Sequence, residues 1–185
     1  MYENMEELQS AIKDCRNCKL CSNRTNIVFG VGNTNSNVMF IGEGPGADED
    51  AQGIPFVGKA GKLMDNAFDI VGINREEIYI ANIVKCRPPN NRDPQDDEID
   101  ACINYLRNQV MIIKPRIIVL LGRIALQNIL GKEYKITSSR GIWIEKKGIL
   151  YMPTWHPAAL LRDETKKIDF IIDLKEVMNK LKELK

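Results

Sequence analysis

The chain has 185 residues, 44% of them hydrophobic, and its 26 lysines and arginines nearly cancel its 25 aspartates and glutamates. This length and composition predict a single domain with one substantial core. The net charge of +1 excludes a basic footprint over the whole surface, so any nucleic-acid site must be a local patch. No apolar run is long enough to cross a bilayer, and the acidic, polar start does not have the pattern of a signal peptide. We therefore expect a cytoplasmic protein.

The five cysteines indicate a metal site. An odd count in a reducing compartment argues against disulfides. Cys15, Cys18 and Cys21 are spaced C-x-x-C-x-x-C, whereas Cys86 follows a predicted strand and Cys102 lies in a predicted helix. Thiolates gathered in this way select zinc or an iron–sulfur cluster. A ferredoxin would carry its fourth cysteine three residues after the third, followed by proline, so here the set must be closed from a distance.

The predicted elements alternate between helix and strand along the chain. Helical periodicity marks residues 5–12, 63–71, 99–110 and 163–181, and a further helix ends near Gly131. Apolar runs predict strands at 38–41, 78–84 and 116–122, with an edge strand at 28–31 and short strands at 141–144 and 148–152. This alternation predicts an α/β fold with three layers, α/β/α, around a central, mostly parallel four-stranded sheet.

The strand at 38–41 runs into a turn, residues 42–50, that contains three glycines, one proline and four carboxylates. Ligands of open α/β sheets bind at the carboxyl edge of the strands, and glycines let the backbone approach a flat or anionic ligand closely. Glu43 is the only ionisable side chain at the strand tip. The turn matches neither a Walker loop nor G-x-G-x-x-G, so nucleoside triphosphate and NAD are weak candidates. An ordinary turn with solvated acids is the alternative.

Three other side chains have the chemistry of a binding site. Phe56 lies in a loop stiffened by proline and glycine, where it serves either as a plug for the core or as a stacking platform. Asn82 interrupts an apolar strand, and its buried amide must either tie down a loop or read a ligand that has both a donor and an acceptor. His156 is the only histidine and is fixed between Trp155 and Pro157 at a predicted strand end.

Together these features resemble the family 4 uracil-DNA glycosylases, the iron–sulfur branch of the uracil-DNA glycosylase superfamily. The matching blocks follow the order of the family along nearly the whole chain: 15–21, 42–46 with Glu49 and Asp50, 53–61, 82–92, and 155–162. The resemblance implies a hydrolase that flips uracil out of DNA and cleaves its N-glycosidic bond. The product is an abasic site, the first step in base excision repair of deaminated cytosine.

The resemblance also implies a cofactor, a 4Fe-4S cluster held by Cys15, Cys18, Cys86 and Cys102. Cys21 is then a bystander, although spacing alone also allows it in place of one of the others. One domain, residues 1–185, is implied, with an N-terminal segment of about residues 1–25 tied to the core by the cluster.

Site roles follow from the same resemblance. Phe56 stacks on the extruded uracil, Asn82 reads its amide edge and His156 contacts its O2, while the backbone of Gly42, Glu43 and Gly44 lines the pocket. His156 and Glu43 are the catalytic residues, and Glu43 either orients the attacking water or offsets the charge on the sugar. The branch that links covalently to DNA has a histidine in the loop after the strand asparagine. Residues 88–92 have none, so an ordinary hydrolase is expected.

The reaction itself requires these groups, because bond cleavage builds negative charge on a base that must first be flipped out. A site then needs a stacking surface, an edge reader and an oxyanion stabiliser. For DNA contacts we predict an apolar wedge, formed by Leu160 and Leu161, that enters the base stack. We also predict three cations that contact phosphates: Arg162, Arg87 and Arg92.

The expected partner is uracil-containing DNA, single- or double-stranded, with free uracil as product and a sliding clamp as a further candidate. We expect a monomer without membrane contact, in a prokaryotic cytoplasm near the nucleoid. Two other classes are alternatives, an iron–sulfur redox protein and a zinc-stabilised nucleic-acid-binding module. Both leave Asn82, Phe56 and His156 unexplained.

Overall fold

The computed structural model describes residues 2–184. Its helices are α1 Met5–Ile12, α2 Ala47–Gln52, α3 Lys59–Val71, α4 Asp96–Ile113, α5 Gly122–Ile129, α6 Ile136–Ser139, α7 Pro157–Arg162 and α8 Lys166–Glu183. Its strands are β1 Val31–Gly32, β2 Val38–Gly42, β3 Tyr79–Asn82, β4 Ile117–Leu121, β5 Ile144–Lys146 and β6 Ile149–Thr154. Within residues 2–184, no helix is both long and apolar enough to span a membrane.

The strands form one mixed sheet in the order β1-β3-β2-β4-β6-β5. The four central strands are parallel, and β1 and β5 add to the two edges in the antiparallel sense. The predicted α/β class is confirmed, but the sheet has six strands where four were predicted. The difference arises at the edges, because β1 has only two residues, both exposed, and β5 has one half-buried and two exposed residues.

Alternating residues of the central strands supply two cores, one on each face of the sheet. Met39 and Ile41 join the core that α1, α4 and α5 cover, whereas Val38 and Phe40 join the core under α3, α7 and α8. The ring of Phe40 meets that of Phe68 edge-on, with centroids 5.0 Å apart. Burial on both faces explains why the central strands read as continuous apolar runs.

The parallel register brings the predicted site residues to one edge of the sheet. Gly42 and Asn82 are direct partners at the ends of β2 and β3. The pairing continues into the turn, where the carbonyl of Glu43 accepts a hydrogen bond from the N–H of Val84 at 3.1 Å. His156 follows β6 by two residues on the same edge. A site at the carboxyl ends of the strands therefore follows from the topology.

Candidate active site

A pocket of about 490 Å³ opens at this edge and is lined by residues from five separate stretches of the chain. Glu43, Phe56, Asn82 and His156 all face it, so the structure brings the predicted site residues together. Gly42 lies beneath them and has no room for a side chain, because a Cβ there would come within 2.5 Å of Asn82 Oδ1 and 2.6 Å of Phe56 Cζ. A glycine at the end of β2 is thus required for the amide and the ring to stand side by side.

Phe56 is held in a strained backbone conformation. Its φ of 54° lies in the left-handed region that a bulky residue rarely adopts, and its side chain is buried. Arg75 Nη2 donates to the carbonyls of Pro55 and Phe56 at 2.7 and 3.1 Å. The carboxylate of Glu49 accepts from the N–H groups of Val57 and residue 58, both at 2.9 Å. These bonds fix the ring as a rigid platform.

Asn82 carries an unsatisfied atom. The residue is only 2% exposed, and its Oδ1 is buried without a hydrogen-bond partner among the residues that the structure describes. Leaving a buried carbonyl oxygen unpaired costs about 1–3 kcal/mol, so native proteins rarely tolerate it without a reason. An acceptor that is held ready for a ligand donor is the arrangement expected of an edge reader.

His156 is the N-cap of α7, and its Nδ1 accepts the N–H of Ala158 at 3.1 Å. Burial, together with the charge of Arg162, lowers the pKa of His156 to about 4. The imidazole is therefore neutral at physiological pH, and its proton is on Nε2 because Nδ1 is an acceptor. Its ring centroid lies 5.6 Å from that of Phe56. The site thus presents a neutral N–H donor beside an aromatic face.

Glu43 has an unusual acidity. Burial raises its pKa from 4.5 to about 7, and the nearby Asp93 adds to the rise, while Arg123 and Arg162 oppose it. The carboxyl group is then close to half ionised at neutral pH. A carboxylate tuned to this range in a pocket is a candidate for general-base or charge-stabilising chemistry.

All five cysteines line a second, smaller pocket between α1, α4 and the loop after β3. Three donors point at their sulfur atoms: Arg24 Nη1 lies 3.5 Å from Cys86 Sγ, the N–H of Lys85 lies 3.3 Å from Cys102 Sγ, and Tyr105 OH lies 3.4 Å from Cys15 Sγ. Within residues 2–184, no three His, Cys, Asp or Glu side chains converge as the ligands of a single metal ion would. Burial raises the pKa of the Cys102 thiol to about 11, so ligation there must displace a proton.

The predicted DNA contacts are only partly at the surface. Leu160 has no exposed area and packs in the core under α7, which corrects the prediction that it contacts DNA. Leu161, the next residue around the helix, is 48% exposed. Arg162 lines the pocket. Arg92 is engaged by both carboxylate oxygens of Glu98, at 2.7 and 2.9 Å.

Arg87 donates its Nε to Asn91 Oδ1 at 2.8 Å, within the basic loop. Its contact with DNA stays a prediction.

The sequence analysis did not identify the residues that contact the site residues from outside the pocket, among them Arg75, Lys85 and Gly122. A Cβ at Gly122 would lie 2.8 Å from that of His156, so α5 begins directly against the histidine. No local pattern identifies such residues, because their partners are far away in the chain.

The fold and this pocket define the class of protein. The family model described as "Uracil DNA glycosylase superfamily" matches residues 29–182, and the chain belongs to that superfamily. The type-4 uracil-DNA glycosylase of Sulfurisphaera tokodaii is 44% identical over 98% of this chain and 85% of the relative. That of Thermotoga maritima is 45% identical over 92% of this chain and 90% of the relative.

The type-5 uracil-DNA glycosylase of Pyrobaculum aerophilum is more distant, with 27% identity over 70% of this chain and 64% of the relative. The predicted resemblance to family 4 is therefore confirmed.

Proposed function

We propose that this protein is a type-4 uracil-DNA glycosylase, a hydrolase that removes uracil from DNA by cleaving its N-glycosidic bond. The observation that supports the assignment best is the unpartnered Asn82 Oδ1, in a residue that lines the same pocket as a fixed aromatic ring and a neutral histidine. Uracil-containing DNA is the proposed substrate.

Base recognition rests on the amide of Asn82. Its Oδ1 accepts from the N3–H of uracil, and its NH₂ donates to O4, so the buried oxygen gains the partner that it lacks. Cytosine has an acceptor at N3 and an amino donor on C4. The Oδ1 of Asn82 would then face an acceptor, and its NH₂ would face a donor. The ring of Phe56 stacks on the flipped base and replaces part of the stacking that the base lost in DNA.

His156 stabilises the departing base. As the glycosidic bond breaks, negative charge develops on the uracil O2, and Nε2–H is the donor available to it. The imidazole is already neutral, so its donor proton is present over the whole physiological pH range. A preorganised donor of this type typically lowers the activation free energy by about 3 kcal/mol.

Glu43 acts in its ionised form. A carboxylate at this position either orients the attacking water or offsets the positive charge that develops on the sugar. Both roles require the proton to be absent, so activity should rise as the pH passes through about 7. Arg162, which lines the same pocket, favours the ionised form of Glu43 and can hold a flanking phosphate.

The cysteine pocket suits a 4Fe-4S cluster held by Cys15, Cys18, Cys86 and Cys102. Such a cluster takes one thiolate on each of four irons, so its ligands need not converge on one point as zinc ligands do. When bound, the cluster supplies four iron–thiolate bonds that crosslink the N-terminal segment, the loop after β3 and α4. Cys21 faces the same pocket and remains the spare thiol.

Incubation of the purified protein with an end-labelled oligonucleotide containing one uracil, followed by alkaline cleavage of abasic sites, tests this function. We expect a single cleavage at the uracil and none in matched strands carrying thymine or cytosine. An Asn82→Ala variant purified in parallel is the control for a contaminating enzyme. No cleavage by the wild-type protein loaded with iron and sulfide, or equal cleavage by the variant, would contradict the proposal.

A further inference from the structure

Lys85 is a buried charged side chain that the mechanism above does not use. Lys85 is 1% exposed and ranks among the largest fully buried side chains of the protein. Its Nζ donates to the main-chain carbonyl of Asn82 at 3.0 Å and to Gln109 Oε1 at 2.7 Å. Burying an amine is costly, and an apolar residue of similar size would often serve the core equally well. The position therefore calls for a role beyond packing.

The partners of Lys85 form a chain that is anchored at both ends. Gln109, on α4, also donates its Nε2 to the carbonyl of Phe29 at 2.9 Å and to Tyr79 Oη at 3.1 Å. Lys85 itself is tied down by its main chain, because its N–H donates to Cys102 Sγ at 3.3 Å. One residue thus joins the end of β3 to α4 and to the cysteine pocket.

We propose that Lys85 is a positioning residue for the base reader Asn82. Asn82 is the last residue of β3. Nζ holds the carbonyl of Asn82 while the N–H of the same peptide, from Ile83, donates to the Gly42 carbonyl at 2.9 Å, so both sides of this peptide are held and the amide stays aligned with the edge of the base. This inference rests on the proposed role of Asn82 in reading uracil. Lys85 orients the amide that binds the base and takes no part in bond cleavage.

The test is Lys85→Met, whose unbranched side chain is one bond shorter and makes neither of the two hydrogen bonds of Nζ. We expect kcat/KM on single-stranded uracil DNA to fall roughly ten- to a hundredfold, by analogy with the loss of outer-shell groups that orient metal ligands. Inhibition by free uracil should weaken by a similar factor, because uracil binding reports on the pocket without the chemistry. Iron content and DNA affinity should be unchanged, since the main-chain N–H to Cys102 is retained.

Tyr79→Phe is the matched control, because it removes a bond from the other end of the same network without touching Asn82. We expect wild-type kcat/KM and wild-type inhibition by uracil. If Lys85→Met does not fold, Lys85→Gln replaces it, since its amide is one bond shorter and does not reach the Asn82 carbonyl.

Wild-type uracil inhibition in the Lys85 variant, or equal losses in Tyr79→Phe, would overturn the inference. If Asn82→Ala itself keeps wild-type inhibition by uracil, the proposed role of Asn82 fails first, and the two failures are thereby distinguished.

Discussion

Glu43→Gln should increase stability at alkaline pH while it removes activity. The pKa of Glu43 is raised by burial, so the folded protein holds this proton more tightly than the unfolded chain does. The resulting contribution to stability is fully present below pH 4.5 and is lost as the pH rises through about 7. Glutamine has no proton to lose and avoids this loss.

The magnitude follows from the raised pKa. A value of about 7 in place of 4.5 corresponds to about 3 kcal/mol once the carboxyl group is fully ionised. The side chain is only half-buried and solvent screening reduces the effect, so we expect roughly 2 kcal/mol. For a domain of this size that is a rise in Tm of about 4–8 °C.

Thermal unfolding of both proteins under anaerobic conditions at pH 4.5 and pH 8.5 measures the difference. The two melting temperatures should be nearly equal at pH 4.5, and the variant should be higher at pH 8.5. In parallel, wild-type kcat/KM should rise through pH 7, whereas that of the variant stays low and flat. Asp48→Asn, at an exposed carboxylate on the rim of the same pocket, is the control for a simple change of net charge.

An equal gain in Tm at both pH values would show that ionisation of Glu43 is not the cause. Full activity of Glu43→Gln would show that the Glu43 carboxylate is not needed for catalysis.

Three further experiments, with five substitutions, test other parts of the protein. His156→Ala should slow single-turnover excision roughly a hundredfold with little loss of DNA affinity. The loss should be the same from pH 6 to 9, because the imidazole stays neutral over that range. A loss that varies strongly with pH, or weak DNA binding with a normal excision rate, would contradict this. Leu161→Ala should slow excision from a U·A pair more than from a single strand without lowering Tm, whereas Leu160→Ala should cost about 2–5 kcal/mol of stability; equal slowing on both strands by Leu161→Ala would exclude a wedge. Cys86→Ala should lose iron and acid-labile sulfide while Cys21→Ala keeps both, and the reverse result would overturn the choice of ligands.

The central sheet was predictable from the sequence because its strands are buried on both faces and therefore appear as apolar runs. β1 was predicted only approximately: the edge strand expected at 28–31 lies at residues 31–32, where two exposed residues carry no such pattern. The meeting of Gly42 with Asn82 was predictable as well, because parallel strands deliver their carboxyl ends to one edge.

Long-range contacts were not predictable. The raised pKa of Glu43 depends on burial and on Asp93, and the strained loop at Phe56 depends on Arg75, none of which has a local signal. Leu160 and Leu161 are identical in type and adjacent in sequence, so only the orientation of α7 decides which of them is buried.

The assignment of Asn82 as the reader of uracil is tested most directly by single-turnover excision with wild-type protein and Asn82→Asp, on strands that carry uracil or cytosine at one position. We predict a loss of uracil excision of at least a hundredfold in the variant, with weak action on cytosine, because a protonated carboxyl group can donate to N3 and accept from the amino group. Uracil excision by Asn82→Asp at the wild-type rate would contradict the account.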